Sequence, residues 1–198
     1  IKICRKNDVY IFSDEMYRFL DHTQGANLPS MCDVYEKSIS LWGTSKTFGL
    51  AGVRIGWITS KDRGLLQKVE NFKDYLSICS SAPSEILATI ALNNLDYFLQ
   101  RNLEKIRHNI ELFQIFQKKH KALFDFQAPP TSSTAFVRFH LESSTAEFAE
   151  NLVKETGIML LPSEAFEYGT KHARIGFGRE NFPEVLAGLE QFLKENNY

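Results

Sequence analysis

The stretch Gly43-Thr44-Ser45-Lys46-Thr47-Phe48-Gly49-Leu50-Ala51-Gly52-Val53-Arg54-Ile55-Gly56-Trp57 decides how this chain is read. A strand-like run, Ser38 to Trp42, leads into it, and a second extended segment, Val53 to Thr59, leaves it. Between Gly43 and Gly52 lie three glycines and three hydroxyl residues. Such a loop lets the backbone approach a ligand closely and offers donors to phosphate oxygens. It is not a phosphate-binding P-loop, in which the lysine follows its glycine and opens a helix. Here the lysine returns through a loop to an extended segment, with Arg54 near its start.

Upstream, Val9, Tyr10, Ile11 and Phe12 form a β-branched and aromatic run of the kind buried in a parallel sheet, ending on Ser13-Asp14. Asp14 therefore falls at the C-terminal edge of a strand, where open α/β sheets bind ligands. A helix N-cap is the competing reading, since Glu15, Met16, Tyr17 and Arg18 can open a helical turn. The stretch Asp21 to Ser30, with Gly25, Asn27 and Pro29, reads as a loop. The chain starts at Ile1 without Met and enters a strand almost at once, which looks like the middle of a domain.

Downstream, Pro83 suits the first turn of a helix over Ser84 to Asn94. Leu95, Leu99, Leu103, Ile106, Ile110 and Phe113 then mark one stripe of a helix long enough to bridge two domains, with Phe98, Phe113 and Phe116 as core. After Pro129-Pro130 come a strand at Ala135 to His140 and a helix opened by Ser144 and Glu147 and closed by Gly157. Strands at Ile158 to Leu161 and His172 to Gly178 and an amphipathic helix from Asn181 to Asn196, with Leu186, Leu189 and Phe192 inward, complete a small α+β unit. The expected division is residues 1–100, part of a large α/β domain, and residues 101–198, the bridging helix and a small C-terminal domain.

Composition narrows the function. With 23 Lys and Arg against 24 Asp and Glu, the net charge of -1 excludes long-range attraction to nucleic acid or to an anionic membrane. Cys4, Cys32 and Cys79 lack CxxC spacing, and the five histidines form no HxH or HxxxH pair, so no disulfide framework or metal site is indicated. No apolar run approaches the ~20 residues of a membrane span. A cytoplasmic protein is expected.

A lysine attacks an aldehyde usefully only when held partly desolvated near cationic or hydrogen-bonding groups. If Ser45 and Arg54 bind a phosphate, they fix one end of an aromatic cofactor, and Lys46 reaches its aldehyde from the same loop. Asp14 then suits a protonated ring nitrogen at the other end, a charge-assisted hydrogen bond of roughly 1.5 to 3 kcal/mol.

At these residues the chain resembles a known family. GTSKTFGLAGVRIGW is similar to the cofactor-lysine signature of class I and II aminotransferases, which are fold type I enzymes dependent on pyridoxal 5'-phosphate (PLP). SDEMYRFL is similar to the strand end of the same family. The resemblance implies a PLP-dependent transferase-like α/β fold, in which part of a large mixed αβα sheet domain precedes a small α+β domain. It implies Lys46 as the Schiff-base lysine and general acid/base, Asp14 on the ring nitrogen, Tyr17 on the ring oxygen, and Ser45 and Arg54 on the phosphate. HARIGFG resembles the segment whose arginine grips the substrate carboxylate, which would make Arg174 that residue; read from spacing alone, Arg174 is a surface charge on a short strand.

The implied activity is ping-pong exchange of an amino group between an amino acid and a 2-oxo acid, by a homodimer, with no metal, nucleic-acid or membrane partner. The resemblance covers essentially the whole chain but corresponds to the C-terminal half of a family chain. The N-terminal glycine-rich phosphate cup and the ring-stacking aromatic of the family have no counterpart here. Many members carry serine where this chain has Gly43, and Thr44 is the candidate replacement. A lyase or synthase of the same fold, or a regulator domain built on it, are the alternative readings.

Overall fold

The computed structural model describes residues 1–23, 25 and 28–198; Asn27, assigned to the loop, lies outside the described residues. The chain divides into two compact units, Ile1–Asn102 and Leu103–Tyr198.

The first unit is built on a three-stranded sheet in the order β1 (Ile11–Asp14), β2 (Ser38–Gly43) and β3 (Gly56–Thr59). β1 and β2 run parallel, with Asp14 opposite Leu41, whereas β2 and β3 are antiparallel, with Gly43 opposite Gly56. The parallel pairing matches the apolar run at residues 9–12, but its burial does not: Val9, Tyr10 and Phe12 are exposed in this chain. Among the described residues β1 pairs with β2 alone, so its flanks are not covered as those of a central strand are. The segment expected to be extended from Val53 begins its ladder at Gly56, because Ala51–Val53 wind into a 3-10 turn.

Around the sheet lie the short helix α1 (Lys2–Lys6), α2 (Met31–Val34), α3 (Arg63–Leu76) and α4 (Ala82–Asn93). The Asp62 side chain caps α3 by accepting from the Leu65 amide at 2.9 Å. Pro83 occupies the first turn of α4, as its missing N–H allows. The core of this unit gathers Leu20, Tyr35, Phe48, Ala88 and Ala91.

α5 (Leu95–Lys119) is the long helix of the apolar stripe, and the boundary between the units falls within it. Of its aromatic residues, Phe113 and Phe116 are buried and Phe98 is half-buried. The second unit holds an antiparallel sheet in the order β4 (Phe124–Asp125), β5 (Thr134–Phe139), β7 (His172–Gly176) and β6 (Leu161–Pro162). Period-two alternation turns Val137, Phe139, Ala173 and Ile175 inward. There they meet Phe113 and Phe116 of α5, Phe148 of α6 (Thr145–Thr156) and Phe192 of α7 (Phe182–Glu195), through edge-on and tilted rings with centroids 4.8 to 6.3 Å apart.

Ser144 caps α6 by accepting from the Glu147 amide at 3.1 Å, and Gly157 ends the helix at φ 72°. The strand expected at Ile158 to Leu161 is displaced to Leu161–Pro162: the chain leaving Gly157 carries Met159 into solvent and pairs only when it reaches Arg174 and Ala173.

Candidate active site

β1 and β2 run parallel, so both end at the same edge of the sheet. Asp14 is the last residue of β1, and the loop carrying Lys46 leaves the end of β2. This is the edge at which α/β sheets bind ligands, and topology alone places both residues there. The N-cap alternative for Asp14 does not hold. Its Oδ1 accepts from the Met16 amide at 3.1 Å, closing a two-residue turn, and residues 15–18 form turns rather than a helix. The second carboxylate oxygen has no partner among the described residues.

These turns are fastened by Glu15. Its Oε1 accepts from the Met31 amide at 2.8 Å and from the Ser40 hydroxyl at 2.7 Å. Burial pushes the Glu15 carboxyl up, but the Met31 amide and the Ser40, Ser30 and Ser13 hydroxyls outweigh it and hold it below the ordinary glutamate range. Arg18 lies 3.6 Å from the other oxygen, with its guanidinium over the Phe19 and Trp42 rings.

The lysine loop is closed by its own backbone and by three polar side chains. Leu50 N donates to Thr44 O and Gly49 N to Lys46 O, both at 3.0 Å. Gly49 has φ +67°, a conformation that disfavours a Cβ. The buried Thr47 hydroxyl reaches the Arg18 carbonyl at 2.7 Å and the Met16 carbonyl at 3.1 Å, tying the residue after Lys46 to the turn that contains Tyr17. Asn102 Nδ2 donates to Thr47 O at 2.8 Å. Thr44 is fully buried, its hydroxyl 3.1 Å from Ile55 O and 3.3 Å from Leu50 O. Its single proton is thus committed to backbone carbonyls, which leaves it no donor for another group. A Cβ on Gly43 would lie 3.0 Å from Met16 Cε and 3.2 Å from Ile55 O, so Met16 fills the space a side chain there would need.

Lys46 is exposed, and its Nζ sits 5.8 Å from the centroid of the Tyr17 ring. No carboxylate pairs with it among the described residues. Arg54 is held in the left-handed region at φ 59° and gives one hydrogen bond to Ala51 O at 3.1 Å. For a non-glycine residue this conformation costs on the order of 1–2 kcal/mol. Ser45 is half-buried and unpartnered among the described residues. The first unit therefore brings Asp14, Tyr17, Ser45, Lys46 and Arg54 onto two adjoining loops with much of their hydrogen-bonding capacity unspent. An aldehyde-bearing, phosphorylated pyridine asks for an amine, a cation and hydroxyl for its phosphate, and a carboxylate for its ring nitrogen, and this donor set fits it.

Arg174 belongs to the second unit. It stands in mid-β7, exposed, and among the described residues no hydrogen bond or ion pair engages its guanidinium, which lies 5.5 Å from the Phe166 ring centroid. Sequence reasoning missed the residues that shape these loops. Asn102 is far along the chain and gives no local signal, whereas Thr47 sits inside the motif but reads as one more loop hydroxyl. Among the described residues no helix is long and apolar enough to cross a membrane.

Comparison with known proteins gives the family. The family model for aminotransferase class I and II matches residues 1–187. Capreomycidine synthase from Streptomyces vinaceus is 27% identical over 81% of this chain and 40% of its own length. Aromatic-amino-acid aminotransferase 2 from Thermococcus litoralis is 25% identical over 96% of this chain and 50% of its own. The chain thus spans about half the length of the curated relatives it matches. The crystal structure of a PLP-dependent aminotransferase from Streptococcus suis superposes with a TM-score of 0.90 at 29% identity, covering 98% of this chain and 51% of that one. The fold is that of the fold type I PLP-dependent enzymes, and with the lysine loop and the Asp14 strand end meeting at one sheet edge, the chain belongs to the class I and II aminotransferase family.

Proposed function

We propose that this chain carries the lysine and most of the cofactor-binding residues of a PLP-dependent aminotransferase acting on an amino acid and a 2-oxo acid. The observation that supports this most directly is the delivery of Asp14 and the Lys46 loop to one edge by parallel strands, with Lys46 Nζ beside the Tyr17 ring. When bound, PLP supplies an aldehyde that condenses with amines and a ring that accepts the electron pair left at the substrate α-carbon. Lys46 would hold the aldehyde and would serve as the acid/base that moves the α-proton at its Nζ. Asp14 would keep the ring nitrogen protonated, the Tyr17 hydroxyl would donate to the ring oxygen, and Ser45 and Arg54 would hold the phosphate. Arg174 binds the substrate carboxylate through its planar fork and orients the α-carbon bonds.

Borohydride reduction of the protein incubated with PLP, followed by peptide mass mapping, tests the reading: the adduct should sit on Lys46 and vanish in Lys46→Ala. An adduct spread over surface lysines would overturn it. Arg174→Ala should keep the adduct while weakening amino-acid binding about 100-fold, the loss of a bidentate charged pair; unchanged affinity would remove Arg174 from the site. A second reading, a lyase or synthase reaction on the same residues, is favoured by the similarity to capreomycidine synthase. Product analysis separates the two: an aminotransferase consumes a 2-oxo acid for every one it makes, whereas a lyase releases ammonia.

A further inference from the structure

The outer face of the antiparallel sheet carries an apolar feature that the lysine chemistry does not use. Phe136 on β5 faces Arg174 directly across the ladder, so both project from the face opposite the buried Val137 and Ala173. Phe136 is 42% exposed, and Phe166 and Tyr168, at 45% and 59%, stand beside it. Their rings meet Phe136 edge-on, with centroids 5.7 and 5.4 Å away, and His172 stacks on Phe136 at 5.2 Å. With Thr134, Ala135 and Arg174 these three rings line an open cavity of about 480 Å³, wide to solvent; only its volume compares with that of small-molecule sites.

The wall is held by its own hydrogen bonds. Ser163, fully buried, donates to Gly169 O at 3.1 Å and accepts from the His172 amide at 3.1 Å, while the Tyr168 amide donates to Ser163 O at 3.1 Å. Glu164 anchors the same segment to the start of α6, accepting from the Thr145 hydroxyl at 2.9 Å and the Ala146 amide at 3.2 Å. Such preorganisation spares a ligand the entropy cost of ordering the loop. Arg174 is the one charged residue lining the cavity among the described residues. Within this lining a second carboxylate would meet no cation besides Arg174, although Arg138 and His172 line the adjoining pocket with Phe136, and a cationic side chain would meet Arg174 with like charge. A flat apolar group has three ring faces and edges to bury against.

We propose that this cavity is the side-chain subsite of the carboxylate anchor, and that the preferred substrates are aryl-bearing α-amino acids and their 2-oxo acids. The proposal rests on the reading of Arg174 as the carboxylate-binding residue. Calorimetric titration with carboxylates that lack the amino group separates binding from turnover. 3-Phenylpropionate should bind about 10- to 100-fold more tightly than propionate or succinate, the range expected for burying one ring. Phe136→Ala and Tyr168→Ala should each shrink that preference, weakening 3-phenylpropionate more than propionate; both positions are exposed, and far-ultraviolet circular dichroism checks that the variants fold. Phe136→Leu, which keeps apolar bulk without a flat face, should fall between. Arg174→Ala should weaken all three ligands. Equal affinity for the three carboxylates, tighter succinate binding, or no binding of 3-phenylpropionate would overturn the aryl subsite and leave the Arg174 assignment standing; ligand binding insensitive to Arg174→Ala would overturn that assignment and this proposal together.

Discussion

Thr47 gives the sharpest test of how the lysine loop is held. Its side chain is 5% exposed, and its hydroxyl bridges to the carbonyls of Arg18 and Met16 at 2.7 and 3.1 Å. Thr47→Val keeps the shape and removes the donor. The carbonyls then lose a buried partner, at about 2 kcal/mol, and the added methyl returns at most ~0.8 kcal/mol, so a net loss of about 1.2 to 2 kcal/mol is expected. Thr47→Ser keeps the donor and deletes one buried methyl, about 1 kcal/mol. Both tryptophans, Trp42 and Trp57, lie in β2 and β3, stacked at 6.3 Å, so their fluorescence follows the sheet from which the loop emerges. In urea, with a slope of about 1.5 kcal/mol per M, the valine variant should shift the midpoint by about 0.8 to 1.3 M and the serine variant by about 0.7 M. The valine variant should also slow formation of the Lys46 adduct with PLP, because the turn bearing Tyr17 is no longer tied to the residue beside Lys46; the serine variant should not. If serine proves more destabilising than valine, packing rather than the hydrogen bond holds the loop, and the reasoning fails.

In the second unit, Phe113 is 1% exposed and packs against the rings of Phe116, Phe124, Phe126 and Phe177. Phe113→Ala should cost about 3–5 kcal/mol, read from the thermal melt by far-ultraviolet circular dichroism, and a loss under about 1 kcal/mol would mean the cluster collapses onto the gap. At the surface, the hydrogen bond and charge of Arg5 lower the Glu36 carboxyl from 4.5 to about 2. A carboxyl depressed on folding stabilises above its unfolded value, so this contribution is complete above about 4.5 and is lost as the pH falls toward 2. The effect is small, since the Arg5 and Glu36 side chains are 53% and 59% exposed. Glu36→Gln should flatten the fall of the urea midpoint between pH 5 and pH 3, and identical slopes in the two proteins would contradict the assignment.

The sequence by itself carried the family, because a lysine between hydroxyl residues and glycines, followed by an arginine and an extended segment, is a local arrangement written in contiguous residues. It also carried the helices whose ends are marked by Pro83, Ser144 and Gly157, since caps and breakers act within a few residues of themselves. Strand limits were less legible: Ala51–Val53 turns before β3 begins, and β6 starts only where β7 offers Arg174 and Ala173 as partners. Pairing is a long-range event, and no window of sequence contains its partner. The same limit hid Asn102, which holds the lysine loop from 55 residues away, and the meeting of Phe136, Phe166 and Tyr168 around Arg174. Sequence named the residues whose side chains suit the proposed chemistry. Tertiary structure alone decided which carbonyls fasten the loop and which rings surround the arginine, because those neighbours are set by strand register and loop packing rather than by adjacency along the chain.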